Sequence, residues 1–91
     1  MTKKLIRLEE FQILPIRKQL DNLHKDGVHV GKRIVDGKTA ILYQIGGFYA
    51  EVYYHSYRKE VEKIILSSDV FIVKPYLSQV SVKELDKGKK D

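Results

Sequence analysis

The chain has 91 residues, with 17 Lys and Arg against 12 Asp and Glu, a formal net charge of +5, and a composition 43% hydrophobic and 32% charged. That apolar content excludes a disordered chain, and the length allows one small domain over residues 1–91 with a marginal core. Without cysteine there is neither a disulfide framework nor a thiolate metal cluster to staple it, so stability has to come from packing or from oligomerisation.

The N-terminal stretch MTKKLIRLEEF is interrupted by Arg7, Glu9 and Glu10 before the apolar centre of a secretory signal can form. No segment approaches the roughly 18 to 20 apolar residues of a membrane span. A cytoplasmic protein with no membrane partner is therefore expected. Residues 1–7 and the Lys-rich 83–91 read as basic, frayed tails.

Ile16, Leu20 and Leu23 fall at i, i+4 and i+7, the stripe of an amphipathic helix, and Ile13 extends it backwards. Pro15 suits the first helical position, where its missing N–H costs little, and Gly27 is a natural stop. The spacing predicts one principal helix over about 15–26 with a short helical turn before it.

After Gly27 the period changes from that of a helix to that of a strand. VHVGKRIV, KTAILYQI and FYAEVYYH are joined by Asp36-Gly37 and Gly46-Gly47. Both dipeptides signal two-residue hairpins, read here as type I′ turns with positive φ at each central residue. EVEKIIL and VFIVK follow, separated by Ser67-Ser68-Asp69, a turn able to cap a short helix. The expected fold is α+β: a helix on a four- to five-stranded antiparallel meander.

Pairing Ile45 with Phe48 fixes the register of the central hairpin, because side chains alternate faces with period two. One face then carries Ile41, Tyr43, Ile45, Phe48, Ala50 and Val52 and is the core. Ile34, Val30 and Val28 join that face, and Lys32 with them, which implies a bulge near Gly31; Ile64 and Leu66 join it from the other side. The second face carries Arg33, Val35, Leu42, Tyr49, Glu51, Tyr53, His55, Val61, Lys63 and Ile65. That is too apolar for a face that merely meets water. Three covers are possible: the segment after Pro75, a second copy of the chain, or a ligand or nucleic acid.

Tyr49, Tyr53 and Tyr57 recur every four residues, and with Arg33, Arg58 and Lys63 near them they could stack single-stranded nucleic acid. Tyrosine is also favoured on any half-buried pleated surface, so an interface between proteins explains the same row. Glu51 and His55 share a face but lie about 13 Å apart along a strand, beyond hydrogen-bond reach; a Glu51, Tyr53, His55 ladder is conceivable. The three histidines, His24, His29 and His55, have no metal-ligand spacing, and the glycines fit neither phosphate-loop nor dinucleotide patterns. No cofactor, metal site or catalytic residue is expected.

The stretch GGFYAEVYYHSYRKEVEKIIL, on a plan of N-terminal helical residues followed by a basic meander, resembles the small ribosome-dependent mRNA-interferase toxins over about a third of the chain. The resemblance implies an RNase-like activity using Tyr53, His55 and Arg58. The chain departs from that family in its tail, where Tyr76 is the one aromatic after Phe71 and there is Lys but no Arg or His. Charge also speaks against a phosphate-binding role: residues 1–7 carry +3 of the net charge and residues 83–91 carry +1, leaving the body of the chain nearly neutral.

The expected function is a non-enzymatic protein-interaction or assembly module, partnered by a second copy (a homodimer) or by another protein. Its candidate binding face is Arg33, Leu42, Tyr49, Glu51, Tyr53, His55, Lys63 and Ile65. The alternatives are a protein that binds single-stranded nucleic acid and, third, a small RNase-like toxin.

Overall fold

The computed structural model describes residues 6–55, 57 and 60–79. Two helices, α1 (Leu8–Gln12) and α2 (Ile16–Asp26), precede strands β1 (Val28–Val35), β2 (Lys38–Ile45), β3 (Phe48–Tyr54) and β4 (Val61–Ser67), and a 3-10 helix (Val70–Tyr76) follows. The strands form one antiparallel sheet in the order β1-β2-β3-β4, an α+β fold with the expected helix and meander. Of the expected basic tails, 1–5 and 83–91 lie outside the described residues; Ile6 packs on the core and Arg7 stands at the start of α1.

Pro15 precedes the first turn of α2, one residue earlier than its spacing suggested, and breaks the chain into two helices instead of one rod. The break turns the predicted stripe. Ile13 is 79% exposed and Ile16 is exposed, while Phe11, Leu23 and Gln19 turn inward. Gln19 is buried because its amide donates to the carbonyls of Phe11 (2.9 Å) and Leu14 (3.2 Å), satisfying the open end of α1 and tying it to α2. Gly27 ends α2 with an extended backbone, its N–H donating to the Leu23 carbonyl; a Cβ there would lie 2.6 Å from that oxygen.

The central hairpin has the register that the Gly46-Gly47 turn implies, from Ile45 opposite Phe48 to Thr39 opposite Tyr54. Its turn differs in one respect: only Gly46 has positive φ, the pattern of a type II′ turn, whereas Asp36 and Gly37 both have it, as type I′ requires. The core face carries Ile45, Phe48, Ala50 and Val52 against Phe11 and Leu23, with the Phe11 and Phe48 rings edge to face at 5.3 Å. Burying each large side chain here contributes about 1.5 to 3 kcal/mol.

Two bulges move residues between faces. The register of β1 shifts between His29 and Gly31, so His29 opposes Tyr43 on the core face and Val28 opposes Gln44 on the second face, exposed instead of in the core. A shift between Tyr53 and Tyr54 brings Val61 opposite Tyr54, and Val61 packs on the core instead of facing the other way. The VFIVK run forms no fifth strand. Asp69 accepts from the Phe71 N–H at 2.9 Å and starts a helical turn, and Pro75 has no N–H for a ladder.

Candidate interaction face

The second sheet face is covered over β1, β2 and the middle of β3 by the chain itself. The 3-10 helix folds back across it and delivers Tyr76, fully buried, against Gly31 on β1. A Cβ at Gly31 would lie 2.8 Å from Tyr76 Cδ1, so glycine is what lets the ring approach the strand backbone. From there Tyr76 reaches over β2 to β3, where its hydroxyl donates to Glu51 Oε2. Leu42 and Ala40, on the strand between, are 0% exposed.

Glu51 is a buried carboxylate, and its partners explain how burial is tolerated. Oε1 accepts from the Tyr53 hydroxyl at 3.0 Å, and Oε2 accepts from Tyr76 and from the Arg33 guanidinium, Nε at 3.3 Å and a terminal nitrogen at 3.2 Å. Arg33 Nε also donates to the Tyr76 oxygen at 3.2 Å, and its guanidinium lies 5.4 Å from the centre of the Tyr76 ring. A desolvated ion is costly unless its lone pairs are occupied, and both oxygens are occupied here. Among the described residues no buried side-chain nitrogen or oxygen lacks a partner.

The same environment tunes the two phenols. Burial, and then the hydrogen bond to Glu51, push Tyr76 far above the ordinary phenol range, against an opposing pull from Arg33. Burial and the bond to Glu51 likewise raise Tyr53. Both hydroxyls are held protonated as donors to Glu51, and the cluster acts as a polar clamp between β1, β3 and the C-terminal segment.

Beyond the clamp, Gln79 closes the edge of β1. Its side-chain oxygen accepts from the Lys32 N–H at 2.9 Å and its amide donates to the Lys32 carbonyl at 2.7 Å, the pair of bonds a neighbouring strand would make. At the other end of the sheet, His55 Nδ1 accepts from the Tyr57 N–H at 3.2 Å, and Glu62 pairs with Lys38 at 2.8 Å.

The predicted face residues therefore separate into groups. Arg33, Glu51 and Tyr53 are brought together in the clamp. Leu42 is sealed below it, and Lys63 lies 4.9 Å from the Tyr53 ring centre. Tyr49 is half-buried and Ile65 stays exposed at the margin. His55 belongs to the far end, where Tyr57 is 92% exposed, and Arg58 lies outside the described residues. Tyr53 is 7% exposed, so the row of tyrosines does not form one open stacking surface.

Sequence reasoning missed Tyr76 and Gln79 as site residues. The available signal was Gly31: a glycine inside a strand marks a bulge or a close approach, and here it marks both. Covering the face also creates a new apolar surface. Val70, Phe71 and Leu77 are exposed on the outer side of the C-terminal segment, and with Val73 and Lys74 they line a hollow of about 300 Å³. Among the described residues there is no cluster of three or more metal-ligating side chains, and no helix is long and apolar enough to cross a membrane. No protein-family model, curated protein or solved structure matches the chain.

Proposed function

We propose that this protein is a non-enzymatic protein-interaction module that assembles with a second copy through the outer side of its C-terminal segment. The observation that carries this reading is the exposure of Phe71 (72%), Val70 and Leu77 around one hollow on a domain whose other large aromatics are mostly drawn inward. Contiguous apolar surface of this kind marks interaction sites on small soluble domains. The clamp beneath supports the surface mechanically, since Tyr76 and Gln79 fix both the inner side and the end of the segment.

Light scattering over a range of concentrations tests it. Wild type forms a dimer, and Phe71→Glu or Leu77→Glu leaves a folded monomer. A wild type that stays monomeric throughout the micromolar range overturns the homodimer. The nucleic-acid reading has weaker support, because Tyr53 is sealed and Lys63 and Arg33 already lie against aromatic rings of the chain.

A further inference from the structure

The C-terminal segment is held by the buried Tyr76 ring and by a set of specific polar contacts. Tyr76 inserts a ring against the one β1 position without a side chain, and its hydroxyl meets a carboxylate and a guanidinium at the bottom of the seat. Three residues later the Gln79 amide pairs with both backbone groups of Lys32. All of these bonds join residues far apart in sequence, and the segment enters through the short link Ser68-Asp69.

This is the anatomy of peptide recognition. A pocket reads one side chain, a strand edge supplies backbone bonds, and a buried polar pair discriminates by chemistry. We infer that the second sheet face is a receptor groove for a polypeptide segment that presents a tyrosine and, three residues on, a glutamine, and that residues 76–79 are its resident occupant. The partner is a protein carrying such a segment in an exposed turn or chain end. It enters by displacing the resident one.

The geometry sets the selectivity. A phenylalanine in the seat leaves Glu51 Oε2 without its hydroxyl donor and Arg33 Nε without one acceptor, so the groove prefers tyrosine. A phosphotyrosine is disfavoured, because the phenol oxygen already abuts the buried Glu51 carboxylate and Arg33 alone does not offset both anions. The tethered occupant competes at the high effective concentration of a short link, so the intact chain binds an outside segment more weakly than a chain whose own segment is disabled. The groove is a different surface from the outer patch, and dependence on the tyrosine and glutamine of the peptide separates binding in the groove from association through Phe71 and Leu77.

The experiment uses the full chain as Tyr76→Ala/Gln79→Ala and a labelled synthetic peptide with the sequence of residues 69–79, followed by fluorescence anisotropy. The variant binds the peptide one to one and saturably. Binding falls about tenfold or more when wild type replaces the variant, and again when the peptide carries phenylalanine for its tyrosine or alanine for its glutamine. Should the variant not fold alone, peptide addition restores its circular dichroism. A folded variant Gly31→Val, with the seat filled, does not bind the peptide. Absence of binding or of refolding, equal affinity for wild type and variant, or indifference to the tyrosine and glutamine overturns the inference.

Discussion

Tyr76 occupies the space that a side chain on Gly31 would fill, and this contact seats the C-terminal segment on the second face of the sheet. Gly31→Ala is therefore not a neutral change inside a strand, although alanine is ordinarily the better strand residue of the two. It pushes against the ring at a fully packed site and costs about 1 to 3 kcal/mol in denaturant unfolding. In a Tyr76→Ala background the same substitution costs less, because the nearest ring atom, Cδ1 at 2.8 Å, is gone while Gln79 Oε1 at 2.9 Å and the residue 76 Cβ at 3.2 Å remain; a double-mutant cycle reads that coupling.

Removing the carboxylate at the centre of the clamp is more damaging than removing the pair. Glu51→Ala takes the acceptor from the buried Tyr53 and Tyr76 hydroxyls and the counter-charge from the partly exposed Arg33 guanidinium, at a cost of about 1 to 3 kcal/mol. Glu51→Leu combined with Arg33→Met recovers only part of that loss, because the unpaired charge is gone but the buried Tyr53 and Tyr76 hydroxyls still lack their acceptor. Urea midpoints of the three proteins check the order.

The clamp also makes stability fall in alkali. Tyr76 and Tyr53 keep their protons in the folded state above the pH at which free phenols lose them, about 10. Between the unfolded and folded values the unfolded chain binds fewer protons, so this contribution is fully present below about pH 10 and is lost as pH rises beyond it. Phenolate absorbance near 295 nm should show a late step that coincides with unfolding, and Tyr76→Phe should reduce its amplitude.

Gln79 is expected to act on one amide. Gln79→Ala leaves the Lys32 N–H and carbonyl to water at an open edge, costing about 1 kcal/mol. Amide hydrogen exchange at Lys32 should accelerate while that at Ile41, opposite it and within the sheet, changes little beyond the global effect.

Much of this architecture is legible in the chain because it is local. The Asp36-Gly37 and Gly46-Gly47 pairs and strict alternation set the register of the central hairpin, and with it which of Leu42 or Ile41, Glu51 or Val52, faces the helices. Val28 and Val61 go to the wrong faces because each lies beyond a bulge, and one extra residue inverts every side chain that follows. VFIVK reads as a strand by composition, yet Asp69 and Pro75 at its ends make it a helical turn. The clamp is legible only by half. Arg33, Glu51 and Tyr53 follow from the sheet period, whereas Tyr76 and Gln79 arrive from more than 40 positions away along the chain from Arg33 and Lys32, where no periodicity reaches.

The central claim is that each chain closes its own tyrosine-bearing face. Nuclear Overhauser contacts between the Tyr76 ring and the Gly31 α protons, recorded with and without isotope filtering on a mixture of labelled and unlabelled chains, test it directly. Strong contacts within one chain, absent from the filtered spectrum, are the predicted result. Missing contacts, or contacts seen only between chains, would contradict it.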